Sequence, residues 1–134
     1  MNGQVAFEYI IIVGLVILFL IPLWSYIADL EGQASSELSI SYAQNAVDKI
    51  ASHADLVYSQ GPPAKITSRV YIPTGVTQAR ILNSTIVLTV RVGASVSDVM
   101  AVSIANMTGS VPSAEGNYQL IVEAVGNLVN VTVV

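Results

Sequence analysis

The residues with chemistry to offer are few and far apart. Glu8 stands in QVAFEYIIIVG, Gln4 to Gly14, at the mouth of an otherwise uncharged apolar run. A carboxylate at the end of a membrane span reaches the headgroup region at small cost. Asn83-Ser84-Thr85, Asn106-Met107-Thr108 and Asn130-Val131-Thr132 are three sequons in the strand-rich part, readable as N-glycan acceptors or as polar positions on solvent faces of strands. His53 is the single histidine and reads as a solvated side chain on the polar face of a helix. The absence of cysteine removes disulfides, thiolate catalysis and Cys-based metal sites together. There is no G-x-S-x-G, P-loop, dinucleotide fingerprint or His-based metal pair, and Asp98, Glu115 and Glu123 are scattered. These residues predict no enzyme, no cofactor and no metal site.

Composition narrows the class. Hydrophobic residues make up 53% of the 134 and charged residues only 10%, which is too apolar for an ordinary soluble domain. The excess sits near the front, where Tyr9 to Ala28 reads YIIIVGLVILFLIPLWSYIA, twenty residues without a charge. About twenty apolar helical residues cross a hydrocarbon core of ~30 Å. The net charge of −4 comes mainly from Asp29, Glu31, Glu37, Asp48 and Asp55 against Lys49. Beyond residue 61, Lys65, Arg69, Arg80 and Arg91 face three carboxylates, and no basic cluster or aromatic platform points to nucleic acid.

The elements that must position these residues follow from periodicity. Leu30, Ala34, Leu38, Tyr42, Ala46, Ile50 and Ala54 recur every four positions, with Val47, Ala51 and Val57 alongside, which predicts one apolar stripe on a helix. Glu31, Gln33, Ser36, Glu37, Gln44, Asp48 and His53 lie opposite. One helix from about Val5 to Tyr58 would be ~80 Å long at 1.5 Å per residue. Its second half must leave the membrane and lay its stripe on something. Gly14 lowers helix propensity and Pro22 removes a backbone hydrogen bond, so a kink or local unwinding is expected near Leu18 to Pro22. At SQGPPAK the helix stops, with Gly61 as its C-terminal residue and Pro62-Pro63 unable to continue it.

From Lys65 the period changes to two. KITSRVYIP, ARILNSTIVLTVRV, DVMAVSIANMT, YQLIVEAV and LVNVTVV are β-branched runs separated by PTG, GAS, GSVPSAEG and Gly126-Asn127, which predicts four to six antiparallel strands. Gly126-Asn127 fits a two-residue hairpin turn. A part of only about seventy residues has a marginal core of its own, so it is expected to pack on the amphipathic half of the helix. The fold class is therefore α+β: after a short stretch 1–3, a long helix over 4–60 and a small antiparallel β domain over 61–134.

Gly3 followed by QVAFEYIII resembles the N-terminus of the archaeal type IV pilin family with class III signal peptides. In that family the leader is cut just before a glutamine, and the fifth mature residue is glutamate. With Gln4 as the first mature residue, Glu8 is the fifth. VYSQGPPAK followed by VYIP is also similar to sequences of this family. Leaders there usually carry Lys or Arg before the glycine, and Met1-Asn2 carry neither. The resemblance implies processing between Gly3 and Gln4, a lollipop of long helix and β head, and a register role for Gln4 and Glu8. The mature amine of Gln4, buried among packed helices, would be neutralised by Glu8 of the same or a neighbouring subunit.

The function expected on that resemblance is a structural subunit of an adhesive pilus. It would wait in the cytoplasmic membrane, meet a prepilin peptidase, and be drawn by an assembly ATPase and membrane platform into a homopolymer on the cell surface. Glycans on Asn83, Asn106 and Asn130 would decorate the outside. The rival expectations are a minor pilin-like protein, and a single-span membrane protein displaying a β domain as a binding module.

Overall fold

The computed structural model describes residues 2–134, with side chains from residue 3 onward; Met1 of the expected leader lies outside the described residues. The chain is α+β, with α1 (Asn2–Gln60) followed by β1 (Lys65–Ile72), β2 (Val76–Leu82), β3 (Thr85–Val92), β4 (Ser95–Val102), β5 (Asn106–Gly109), β6 (Gly116–Val125) and β7 (Leu128–Val133). It divides into two compact units, one up to Ser35 and the other Ser36–Val134.

The first unit is helix alone. It stays α-helical through Gly14 and Pro22, so the unwinding expected at Leu18 to Pro22 is absent. Proline's fixed φ suits a helix, and what Pro22 removes is a single N–H donor.

The second unit begins with the last turns of α1 and ends with the strands. Gly61 closes the helix as expected: at φ +71° its N–H donates to the carbonyls of Val57 at 3.1 Å and Tyr58 at 3.2 Å. Glycine enters this left-handed region without the Cβ clash that other residues meet. The strands form two sheets, a four-stranded one in the order β1-β6-β7-β5 and a three-stranded one in the order β2-β3-β4. Seven strands replace the expected four to six, and the β5/β7 pair is parallel, so the first sheet is mixed rather than wholly antiparallel.

Turn chemistry accounts for the difference in strand number. Asn83-Ser84 divides the run ARILNSTIVLTVRV into β2 and β3 as a two-residue hairpin, Leu82 pairing with Thr85, and Asn83 takes φ +53°. Asparagine is among the few non-glycine residues that tolerate that region. Gly126-Asn127 makes the expected hairpin between β6 and β7, with Val125 opposite Leu128. A bend at Ser103, Ile104 and Ala105 separates β4 from β5. Gly109 lets β5 approach β7 closely, since a Cβ there would overlap the Val131 carbonyl.

The β part packs on α1 as expected. Ala43, Ala46, Val47, Ile50, Ala51, Ala54 and Val57 join one core with Val70 and Ile72, with Ile86, Leu88 and Val90, and with Leu120, Val122, Val129 and Val131. Four alanines on the helix face bring its backbone near the sheets. The expected stripe has the wrong phase at its upper end, because Leu38 and Tyr42 are 56% and 49% exposed and Ala43 is buried instead. A strict spacing of four drifts about 40° per step around a helix of 3.6 residues per turn, whereas the buried set mixes steps of three and four. Ile50→Ala in the full chain is expected to lower unfolding free energy by about 2–5 kcal/mol, and Leu38→Ala to leave it within about 0.5 kcal/mol. Denaturant titration in detergent measures both, and equal losses would contradict this phase.

Candidate functional site

The feature with the greatest consequence is a surface. From Val5 to Ile27 every large apolar side chain is exposed, Phe19 at 72% and Trp24 at 78% among them. The helix is long and apolar enough to cross a membrane. Its backbone hydrogen bonds are satisfied internally, so only its side chains need an apolar surrounding. Glu8 lies near the start of this stretch beside Val5, Tyr9 and Ile12. Its carboxylate has no hydrogen bond or ion pair among the described residues, where Lys65 and Glu123, at 3.9 Å, form the one salt bridge. Gln4 is four residues before Glu8, one turn away on the same helical face. Gly3 and Gln4 are both within α1, and no atom crowds Gly3.

The sequons fall in two places. Asn106 begins β5, opposite Leu128 of β7, while Asn130 pairs with Glu123 of β6. Because Met107, Val129 and Val131 point into the core, the alternation of strand side chains puts Asn106 and Asn130 together on the outward face of the four-stranded sheet. Asn106 is exposed and Asn130 half-buried, with the Asn130 amide donating to Oγ1 of Thr132, its own sequon hydroxyl, at 3.3 Å. Asn83 is exposed and stands apart in the β2–β3 turn.

Two groups differ from the sequence reading or were missed by it. Asp55, counted there only as charge, caps the β4–β5 bend: its Oδ1 accepts from Ser103 Oγ at 2.5 Å and from the Ile104 N–H at 2.9 Å, and Ser103 Oγ in turn accepts from the Ala105 N–H at 3.0 Å. Nothing in the spacing announces this, because the partners are 48 and 49 residues away. His53 is half-buried rather than solvated, and its Nδ1 is buried without a hydrogen-bond partner.

A shallow cleft between α1 and β1 is lined by Tyr42, Asn45, Lys49, Arg69, Tyr71 and Asn117. There Lys49 Nζ donates to the Arg69 carbonyl at 2.7 Å, and the Tyr42 and Tyr71 rings meet edge to face at 5.6 Å. Desolvation and the Glu115 carboxylate, which accepts from the Tyr71 hydroxyl at 3.4 Å, raise the Tyr71 pKa. Among the described residues no three His, Cys, Asp or Glu side chains gather to hold a metal ion. No family model, curated protein or solved structure matches this chain.

Two expectations follow. Burial, and then the Lys49 ammonium one turn away, lower the His53 pKa from 6.5. An unfolded chain takes up a proton near pH 6.5 that the folded chain refuses, so stability holds above that pH and declines below it. Melting temperatures of the full chain should fall between pH 6.5 and 5, less steeply in His53→Gln; identical slopes would remove His53 as a cause. For the sequons, intact masses from the native host should exceed that of the bare chain, and Asn106→Gln and Asn130→Gln should each remove one glycan. A bare mass would end the acceptor reading.

Proposed function

We propose that this chain is a structural subunit of an archaeal type IV-like adhesive pilus, joining identical copies through its N-terminal helices. The observation that carries the reading is the uncovered apolar surface from Val5 to Ile27 with a lone carboxylate near its start. A bilayer covers that surface before assembly and neighbouring helices cover it afterwards. Burial stabilises both states by roughly 25 cal/mol per Å² of apolar area, so transfer between them is near balance and a small specific term decides it.

Glu8 supplies that term. Removal of Met1 to Gly3 by a prepilin peptidase leaves an ammonium on Gln4, one helical turn from the Glu8 carboxylate. An ammonium in an apolar core costs several kcal/mol unless a carboxylate faces it. Glu8 of the adjacent copy meets that need at only one axial offset, which makes that pair a register mark, whereas pairing within one copy neutralises the charge without fixing an offset. Extraction from the membrane falls to an assembly ATPase and its platform, and the β part, with Asn106 and Asn130 on an outer sheet face, is left outside to adhere. The Gly3–Gln4 bond adjoins a residue without a side chain, in keeping with close approach by a peptidase.

Electron microscopy of filaments sheared from cells, with N-terminal mass spectrometry of their subunit, tests the reading. The expected result is this chain as a main component beginning at Gln4. A chain that retains Met1 to Gly3 and comes out of membranes only as a monomer supports instead a single-span protein displaying a binding module. Glu8→Ala is expected to cut filament yield by at least about tenfold, the equivalent of 1.4 kcal/mol, while membrane insertion is unchanged. Normal filament numbers from that variant would end the register role.

A further inference from the structure

The outward face of the three-stranded sheet is unusual for a water-facing surface. Register places Leu82, Thr85 and Val102 in one row and Arg80, Val87 and Met100 in the next. Leu82 and Met100 are each 54% exposed and Val102 67%. Arg91 lies on the same face, two positions beyond Thr89 along β3. The row between Arg80 and Arg91 holds Thr89 and Asp98, whose Oδ1 accepts from Thr89 Oγ1 at 2.7 Å, and neither the Arg80 nor the Arg91 guanidinium has a carboxylate within ion-pair distance among the described residues. The outward face of the other sheet carries Asn106, Thr108, Asn130 and Thr132. The three-stranded sheet thus presents an apolar patch with two cations, bordered at the β2–β3 turn by the Asn83 sequon, whose Thr85 stands in its first row, and an apolar patch with such cations is the make-up of a contact surface.

A complementary surface exists on α1. Leu30, Ala34 and Leu38 form an i, i+4, i+8 ridge, with Leu30 45% and Leu38 56% exposed. Helical geometry sets Glu31 on one flank of that ridge and Glu37 on the other, with Asp29 turned towards the far side of the helix. These three carboxylates have no hydrogen bond or ion pair among the described residues, whereas Asp48 accepts from Gln44 and Asp55 from Ser103.

Resting on the filament reading, the geometry points to docking of the Asp29–Leu38 ridge of a second copy on the Leu82, Met100 and Val102 face, with Arg80 and Arg91 facing Glu31 and Glu37. Apolar burial supplies the attraction, and the paired charges select orientation and penalise the reverse approach. Each copy carries one such face and one such ridge, so the contact is head-to-tail and propagates.

Charge reversal with rescue tests the contact. Arg80→Glu with Arg91→Glu is expected to lower filament yield at least about tenfold, and adding Glu31→Arg with Glu37→Arg to restore it to within about threefold. Circular dichroism and melting of each variant check the fold. Loss without rescue, the outcome for a face that binds an anionic lipid surface, overturns the proposal, as does no loss at all. A second measurement is independent of these variants: the chain has no cysteine, so Ala34→Cys with Met100→Cys, oxidised in assembled material, should give a ladder of linked copies on non-reducing gels, which neither single variant gives. Filaments without a ladder overturn this contact and leave the pilus reading standing. If no filaments form, the same oxidation in native membranes decides: linked copies support the contact while the pilus reading fails, and unlinked copies overturn both.

Discussion

A helix that satisfies its own backbone but not its side chains constrains everything else in this protein. The chain's longest uncharged run, Tyr9 to Ala28, leaves its large apolar side chains exposed. Water is an unfavourable neighbour for that surface, and the backbone bars irregular or edge-bearing alternatives inside a bilayer. Lipid and other helices are the environments that suit it.

The later turns of the same helix solve the opposite problem. A β part of about seventy residues, divided between sheets of four and three strands, has too little area of its own to bury. It gains a core by closing over Ala43, Val47, Ile50, Ala54 and Val57, all fully buried. Small side chains at Ala43, Ala46, Ala51 and Ala54 matter as much as the large ones, because they set how near the helix backbone comes to Leu88, Leu120 and Val122. Asp55 then ties the helix to the β4–β5 bend through two donors. That bend would otherwise carry unpaired backbone groups against a packed interior.

Much of this was legible from local chemistry. Gly61 before two prolines, Gly126-Asn127 between β-branched runs and the switch from period four to period two each act through nearby residues, and each gave the correct element. What was not legible depends on distant partners. Asn83-Ser84 is a weak hairpin signal unless β3 is already known to fold back on β2. The bend at Ser103 needs Asp55, and the parallel placement of β5 beside β7 needs Gly109 to have lost its side chain at the point of closest approach. Leu38 and Tyr42 look like core by spacing, yet burial begins at Ala43, because the sheets rather than the helix decide where the covered face starts. His53 shows the same limit, since the polar side of a helical wheel turned out to be half-covered. Glu8 is the converse case, for its position was plain from sequence and its surroundings in a single copy add no partner.

Charge follows a division of labour along the chain. Six of the nine carboxylates precede residue 61, while four of the five cations follow it. Two of those six, Asp48 and Asp55, are held by donors within the second unit. Glu8 and the group at 29, 31 and 37 are not, and on the β side the Arg80 and Arg91 guanidinium groups are equally unengaged. In an isolated monomer this pattern has no internal use, since separated surface charges in water are screened over about 8–10 Å. In the proposed contact between copies it would have one: unlike surfaces would attract head to tail, like surfaces repel, and the encounter would be oriented before apolar contact begins. A chain that polymerises through greasy helices alone would have little to distinguish one axial offset from another, because apolar burial is non-directional. Isolated carboxylates at Glu8 and along Asp29 to Glu37 are the features able to make that distinction, which ties their lack of partners in one copy to the order they would impose on many.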